Sequence, residues 1–292
     1  MTEVQIRRLG DSKDLLGESP WWDARTQSVC WIDSLAGTLR RFWPASGKAE
    51  QHNLPAPVGS IAPCESGAVV AALQHSFVRY DFASGRLETL AQIDIRHPEV
   101  RLNDGKCDPW GNFVAGTLQT HRQPDEPVVG ALYRLRPDRS VERIAERFAL
   151  TNGPCFSPDG GTLYVADSAL RTIWAYDYAC EGPLRNQRPF VHTEPFGSGP
   201  DGATVDAEGF LWTVLTRVGK MARFAPDGRL ERLVDLPATH PTSLCFGGPA
   251  LDTCFVTSIS KSTHLAGHQP QDGGLFEVRG LPAGLAPHRY AD

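Results

Sequence analysis

Six polar residues recur along the chain at positions where they can meet: Glu18, Ser60, Asn103, Asn152, Asp201 and Thr242. Each stands five or six residues ahead of a turn-forming tetrapeptide. They supply two carboxylates, two carboxamides and two hydroxyls, with no Cys or His. Carboxylates gathered on one axis repel one another and raise each other's pKa, and a bound cation removes that cost. Carboxylate and carboxamide oxygens are hard ligands suited to Ca²⁺, Mg²⁺ or Mn²⁺, and Zn²⁺ is accommodated through carboxylate oxygen. A water-filled channel lined by hydrogen-bonded polar side chains explains the same spacing. A structural zinc site, which wants thiolates or imidazoles, is not expected.

The elements that would bring these residues together are short strands. Runs such as SVCWIDS (28–34), AVVAALQ (68–74), NFVAGTL (112–118), TLYVADS (162–168), FLWTVLT (210–216) and TCFVTS (253–258) are apolar or alternating, bounded by turn residues. Helical periodicity is almost absent. The turns ahead of these strands begin at Asp23, Glu65, Asp108, Pro158, Asp206 and Gly247, with gaps of 42, 43, 50, 48 and 41 residues. A second class of turn follows about twenty residues on, as at Pro44-Ala-Ser-Gly47 and Pro226-Asp-Gly228.

Six units of this length, each holding about four strands, predict an all-β, six-bladed β-propeller. The whole chain, residues 1–292, forms one domain in this reading. The segment Val4–Leu9 has no unit of its own and is expected to join the last blade and close the ring. In a propeller the first strand of each blade lines the central channel, which puts the six polar positions at one rim.

Composition narrows the function classes. The net charge of −5 gives no nucleic-acid footprint and no basic membrane-binding face. No apolar run is long enough to span a bilayer, and the N-terminus lacks the apolar segment of a signal peptide. Seven cysteines, none spaced as Cys-x-x-Cys, read as reduced, mostly buried thiols of a cytoplasmic protein. The expected partner is a small molecule, and the expected assembly a monomer or weak homo-oligomer.

Other motifs carry less. Ser258-Ile-Ser-Lys261 matches Ser-x-x-Lys without the companion motifs of the enzymes that use it. His264 and His268 lie in a Gly/Pro/Gln-rich loop, a poor setting for a zinc pair. Trp21 and Trp22, beside Glu18, read equally as blade packing or as platforms for a sugar. Asp104 and Asp167 are candidates for supporting the site from behind.

The flanking sequences are distinctive: Gly17-Glu-Ser-Pro, Arg101-Leu-Asn-Asp-Gly-Lys-Cys-Asp-Pro-Trp-Gly111, Thr151-Asn-Gly153, Gly199-Pro-Asp-Gly202, Thr242-Ser-Leu-Cys-Phe-Gly-Gly248 and Gly273-Gly-Leu-Phe-Glu277. In this order, over nearly the whole chain, they resemble the gluconolactonase/regucalcin (SMP-30) family of sugar lactonases. The resemblance implies a six-bladed propeller with one divalent metal ion, its ligands Glu18, Asn152 and Asp201. It implies substrate-binding roles for Arg101 and Asn103, and a general acid/base role for Asp201. The implied reaction is metal-dependent hydrolysis of an aldonolactone to the sugar acid, a step of carbohydrate catabolism. One departure concerns the third-blade loop, where family members carry a sugar-binding carboxylate and this chain has His121. With Arg101 and Arg122 nearby, that change leaves room for an anionic substituent on the sugar; otherwise the loop points elsewhere or His121 simply binds a hydroxyl. A metal-dependent esterase or organophosphate hydrolase uses the same fold and ligands, and a non-enzymatic calcium-binding propeller is the third reading.

Overall fold

The computed structural model describes residues 3–95, 97–123 and 125–292. Among them, 24 strands pair into six four-stranded antiparallel sheets, with one short 3₁₀ turn at Glu194–Phe196. The first strand, β1, is Gln5–Leu9. Blade 1 holds β2 (Gly17–Asp23), β3 (Ser28–Asp33), β4 (Thr38–Trp43) and β5 (Lys48–Asn53). Blade 2 holds β6 (Ser60–Pro63), β7 (Val69–Ala72), β8 (Ser76–Tyr80) and β9 (Leu87–Gln92). Blade 3 holds β10 (Val100–Cys107), β11 (Phe113–Gln119), β12 (Gly130–Leu135) and β13 (Val141–Phe148). Blade 4 holds β14 (Thr151–Phe156), β15 (Thr162–Asp167), β16 (Thr172–Asp177) and β17 (Arg185–His192). Blade 5 holds β18 (Pro200–Val205), β19 (Leu211–Leu215), β20 (Lys220–Phe224) and β21 (Leu230–Asp235). Blade 6 holds β22 (Pro241–Gly247), β23 (Thr253–Ser258) and β24 (Leu275–Arg279). The N-terminal strand completes it: β1 pairs with β24 from Gln5 opposite Arg279 to Leu9 opposite Leu275. The protein is therefore a six-bladed β-propeller, its ring closed by its own N-terminus, which leaves no blade short of a strand.

The ring follows from side-chain alternation. Successive residues of a strand point to opposite faces, and here each face meets a different neighbour. In β3, Cys30 and Ile32 pack with Ile61 and Val69 of blade 2, while Val29 and Trp31 pack with Phe255 and Leu275 of blade 6. In β11, Phe113 and Ala115 join blade 2 and Val114 joins blade 4. Six apolar clusters result, one at each junction between adjacent blades. The two tryptophans beside Glu18 belong to them. Trp21 packs between blades 1 and 2, and Trp22 stacks on Phe255 with centroids 5.5 Å apart. Both are buried, so the expectation that either offers a face to a sugar is corrected.

The turns that punctuate the sequence are held by their aspartates. Asp108 accepts the N–H groups of Trp110 and Asn112, both at 2.9 Å, and Asp206 accepts those of Glu208 and Phe210, both at 3.0 Å. Gly111 and Gly209 follow at φ 83° and 82°, the left-handed region open to glycine. Asp206 is fully buried and also accepts from Trp212 Nε1 and Arg223 Nε.

Below the inner strands, the C-terminal segment crosses the channel. Gly284 pairs with Asp206 of blade 5, and Tyr290 with Cys64 of blade 2. Between them Leu285, Ala286, Pro287 and His288 close a chamber of about 70 Å³, also lined by Asp104 and Lys106. Among the described residues no helix is long and apolar enough to cross a membrane.

Candidate metal centre

Five of the six inner strands break register where the polar residues stand. The irregularities lie between Glu18 and Trp21, Leu102 and Gly105, Asn152 and Cys155, Pro200 and Ala203, and Pro241 and Leu244. A β-bulge inserts an unpaired residue and re-aims side chains. Here it turns Glu18, Asn103, Asn152 and Asp201 out of the alternating pattern toward the channel. The inner strands also crowd: a Cβ on Gly153 (φ 53°) would stand 2.7 Å from Asp201 O and Ala203 N, and one on Gly202 only 2.2 Å from Ser243 Oγ. Glycine after Asn152 and after Asp201 is thus a packing requirement of the site.

One hydrogen-bonded chain links the rim. Arg101 Nη1 donates to the Leu102 carbonyl at 2.9 Å and to Asn103 Oδ1 at 3.0 Å. Asn103 Nδ2 donates to Thr151 O and to Asn152 Oδ1, each at 2.8 Å. Asn152 Nδ2 donates to Ser168 Oγ at 2.9 Å, and Ser168 Oγ donates to Pro200 O at 2.5 Å, next to Asp201. Thr216 Oγ1 closes the chain by donating to Asp201 Oδ2 at 3.0 Å. Ser60 and Thr242 stay outside it, tied to backbone: Ser60 Oγ donates to Asn103 O, and Thr242 Oγ1 to Gly17 O.

Burial and crowding hold the carboxyls above their usual range. Glu18 is pushed well above the usual carboxylate range by burial, then by the neighbouring Asp201 and Asp104. Asp201 is likewise raised well above that range by burial and by Asp104, against the Thr216 hydrogen bond. Asp104 is raised by burial, opposed by the Lys106 ammonium and by hydrogen bonds from the Gly153 and Gly105 N–H groups. Arg101 is lowered to about 10 by burial, partly offset by Glu18.

Of the six residues predicted for metal and substrate, five meet at this rim: Glu18, Arg101, Asn103, Asn152 and Asp201. His121 is outside that hydrogen-bonded chain, on the exposed β11–β12 loop, with its ring edge-on to His264 at 6.0 Å. His268 is not part of that pair. Ser258 Oγ donates to the Gly274 carbonyl, a structural role. Asp167 accepts from Ala149 N at 2.9 Å and so fixes the chain entering β14. Sequence reasoning missed Ser168, Thr216 and His240, whose Nδ1–H donates to Thr216 O at 2.9 Å. Ser168 and Thr216 stand just after second strands, and His240 just ahead of the inner strand β22, where no spacing rule pointed.

A divalent cation suits this donor set. Glu18 and Asp201 stand close enough to repel, with no salt bridge to either among the described residues, and the Asn152 carbonyl oxygen stands in the chain of hydrogen bonds beside them. Among the described residues no group of three or more His, Cys, Asp or Glu forms a metal cage. The set is therefore two carboxylates completed by an amide, all hard oxygens.

Residues 16–260 match the family described as SMP-30/Gluconolactonase/LRE-like region. Regucalcin of Gallus gallus is 35% identical over 298 residues, covering 100% of both chains. A luciferin-regenerating enzyme superposes with a TM-score of 0.91 at 28% identity, covering 99% of this chain and 100% of that one. A calcium-binding protein, regucalcin, from Agrobacterium tumefaciens superposes with a TM-score of 0.89 at 27% identity, covering 98% of this chain and 97% of that one.

Proposed function

The chain belongs to the SMP-30/gluconolactonase/LRE-like family, and from that premise we propose that it is a metal-dependent lactonase opening a sugar lactone to its acid. A lactonase role fits the family. The observation that carries the reading for this chain is the pair Glu18 and Asp201, two carboxyls at one channel mouth that burial and neighbouring carboxyls both raise. A scaffold propeller has no use for such a pair.

Glu18, Asn152 and Asp201 would hold the ion, and Ca²⁺, Mg²⁺, Mn²⁺ and Zn²⁺ all accept such oxygens. When bound, it supplies a Lewis acid for the lactone carbonyl and a more acidic water. Thr216 fixes Asp201 Oδ2, leaving Oδ1 for the channel. Asp201 takes a proton from the attacking water as its oxygen bonds to the carbonyl carbon. It returns that proton to the ring oxygen as the ring C–O bond breaks. Arg101 keeps Nε and Nη2 without a protein partner among the described residues, and these donate to the substrate's hydroxyl or carbonyl oxygens. Asn103 spends both Nδ2 protons on Thr151 and Asn152. Its part is to hold Asn152 in place, with a lone pair of Oδ1 left for a substrate hydroxyl. The reaction belongs to carbohydrate catabolism, in the cytoplasm.

The test is lactone opening followed by a pH indicator, with spontaneous hydrolysis subtracted, before chelation, after it, and after adding back single metals. Activity should vanish on chelation and return with one or more of the four ions. Asp201→Ala should lower kcat/KM by about 10²–10⁴-fold and weaken metal binding. Full metal-dependent hydrolysis in that variant, or none in the wild type, would refute the reading.

A further inference from the structure

The connections between second and third strands all open on the rim that carries Glu18 and Asp201. In blades 1, 2, 4 and 5 they are short: residues 34–37, 73–75, 168–171 and 216–219. In blades 3 and 6 they are long, residues 120–129 and 259–274. Blades 3 and 6 are opposite one another in a ring of six. Loop 120–129 leaves β11 next to Arg101, since Arg101 pairs with Leu118. Loop 259–274 leaves β23 next to Glu18, because a Cβ on Gly17 would stand 2.9 Å from the Ser258 carbonyl. The two loops nonetheless touch, His121, two residues past β11, against His264. Loops rooted on opposite blades of one rim meet only by spanning the mouth between them.

Both loops are braced. Glu126 Oε2 accepts from Gln119 Nε2 and from Gln123 N, each at 3.0 Å, and Arg122 Nη2 donates to Glu126 O at 2.7 Å. In the other loop, Ser262 N donates to Leu265 O at 2.7 Å, forming a tight turn with His264 at its tip. Asp272 ties the base of this loop to Thr239 N and Oγ1, both at 2.7 Å.

We infer that the His121–His264 contact closes a strap across the channel mouth, making His264 a specificity-determining residue that admits single-ring lactones and excludes those bearing a second sugar. The substrate named here rests on the lactonase reading; the strap itself rests on the loops alone. A loop bridging the mouth leaves two side openings, each bounded by blades with short loops. A single-ring lactone enters flat through such an opening, while a glycosyl substituent collides with the strap.

The experiment has two arms. In the first, the double variant His121→Cys/His264→Cys is made in a Cys180→Ser background, since the other six cysteines are buried. Mild oxidation should form the disulfide and lower turnover of glucono-δ-lactone by about tenfold, with recovery on reduction. In the second, His264→Ala should raise the ratio of kcat/KM for lactobiono-δ-lactone over glucono-δ-lactone by about fivefold or more, with kcat for the smaller lactone within about twofold. No disulfide, a disulfide without effect on turnover, or an unmoved ratio overturns the inference. If the wild type opens neither lactone, the lactonase reading fails, and the disulfide alone then decides whether the loops span the mouth.

Discussion

Asp104 Oδ2 accepts the backbone N–H of Gly153 at 2.8 Å, so the bulge of one inner strand pins the bulge of the next. Asn103 and Asp104 are consecutive, yet they serve opposite sides of the channel floor. Asn103 joins the rim, and Asp104 lines the closed chamber beneath. There it stands beside Lys106, whose ammonium donates to Ala203 O at 2.7 Å, two residues past Asp201. The Asp104–Lys106 pair thereby holds, from below, the two backbone segments that aim Asn152 and Asp201.

Asp104→Ala is expected to weaken divalent-metal affinity by about 10–100-fold, the usual effect of removing a group that orients a ligand. The fold should persist, because the six junctions between blades are untouched. Titration with a competing metal indicator measures the affinity, and circular dichroism checks the fold. Unchanged affinity in a folded variant would show that Gly153 needs no such anchor.

Metal binding should release protons, and more of them as the pH is lowered toward the raised carboxyl range. In the metal-free molecule Glu18 and Asp201 titrate above their unfolded values. Between the unfolded and folded pKa the folded state holds more protons, so this contribution to stability is present in acid and is lost as pH rises through the folded pKa. Chelated protein should thus lose stability across that window, whereas chelated Glu18→Gln should lose less and end the more stable of the two at pH 8. With metal present the order should reverse. Thermal unfolding across pH, with and without chelator, reads both signs.

What the sequence disclosed and what it hid divide along physical lines. Blade number was legible because turn aspartates and glycines answer to local geometry, as Asp108 with Gly111 and Asp206 with Gly209 show. The rim residues were legible because each stands at a fixed distance from its turn. Asp104 was a candidate for support behind Asn103, but its bond to Gly153 and its place in the chamber were not legible, since a bulge breaks the two-residue period on which facing is read. Thr216 and Ser168 were hidden for a related reason: they reach the site from neighbouring strands and leave no mark in spacing. The meeting of His121 with His264 depends on the ring having closed first. Trp21 and Trp22 mislead because proximity to Glu18 in sequence does not imply a shared face.

The thiols should divide sharply. Cys30, Cys64, Cys107, Cys155, Cys245 and Cys254 are buried, and Cys180 is partly exposed. Burial raises Cys30 and Cys155 to about 12, which leaves almost no thiolate at neutral pH. A chromogenic disulfide reagent should find one fast thiol in native protein and seven after denaturation. Cys180→Ser should abolish the fast phase; two or more fast thiols would mean that the blade junctions open readily.

The C-terminal plug offers a test of how the lower channel is sealed. Tyr290 is 1% exposed, sits in the cluster between blades 2 and 3, and donates its hydroxyl to Arg136 O at 2.7 Å. Its backbone pairs with Cys64, and its N–H donates to Pro63 O at 2.8 Å. Losing the ring leaves a cavity among Cys64, Cys107 and Tyr133, so Tyr290→Ala should cost about 3–5 kcal/mol, as large aromatic truncations in cores do. Tyr290→Phe keeps the ring and forfeits the hydrogen bond, leaving the Arg136 carbonyl its bond from Arg139 N, and should cost about 0.5–1.5 kcal/mol. Denaturant unfolding separates the two variants. If Tyr290→Ala were no more costly than Tyr290→Phe, the tail would not be anchored by its aromatic ring. The chamber holding Asp104 and Lys106 would then be sealed by the backbone pairings at Asp206 and Cys64 alone.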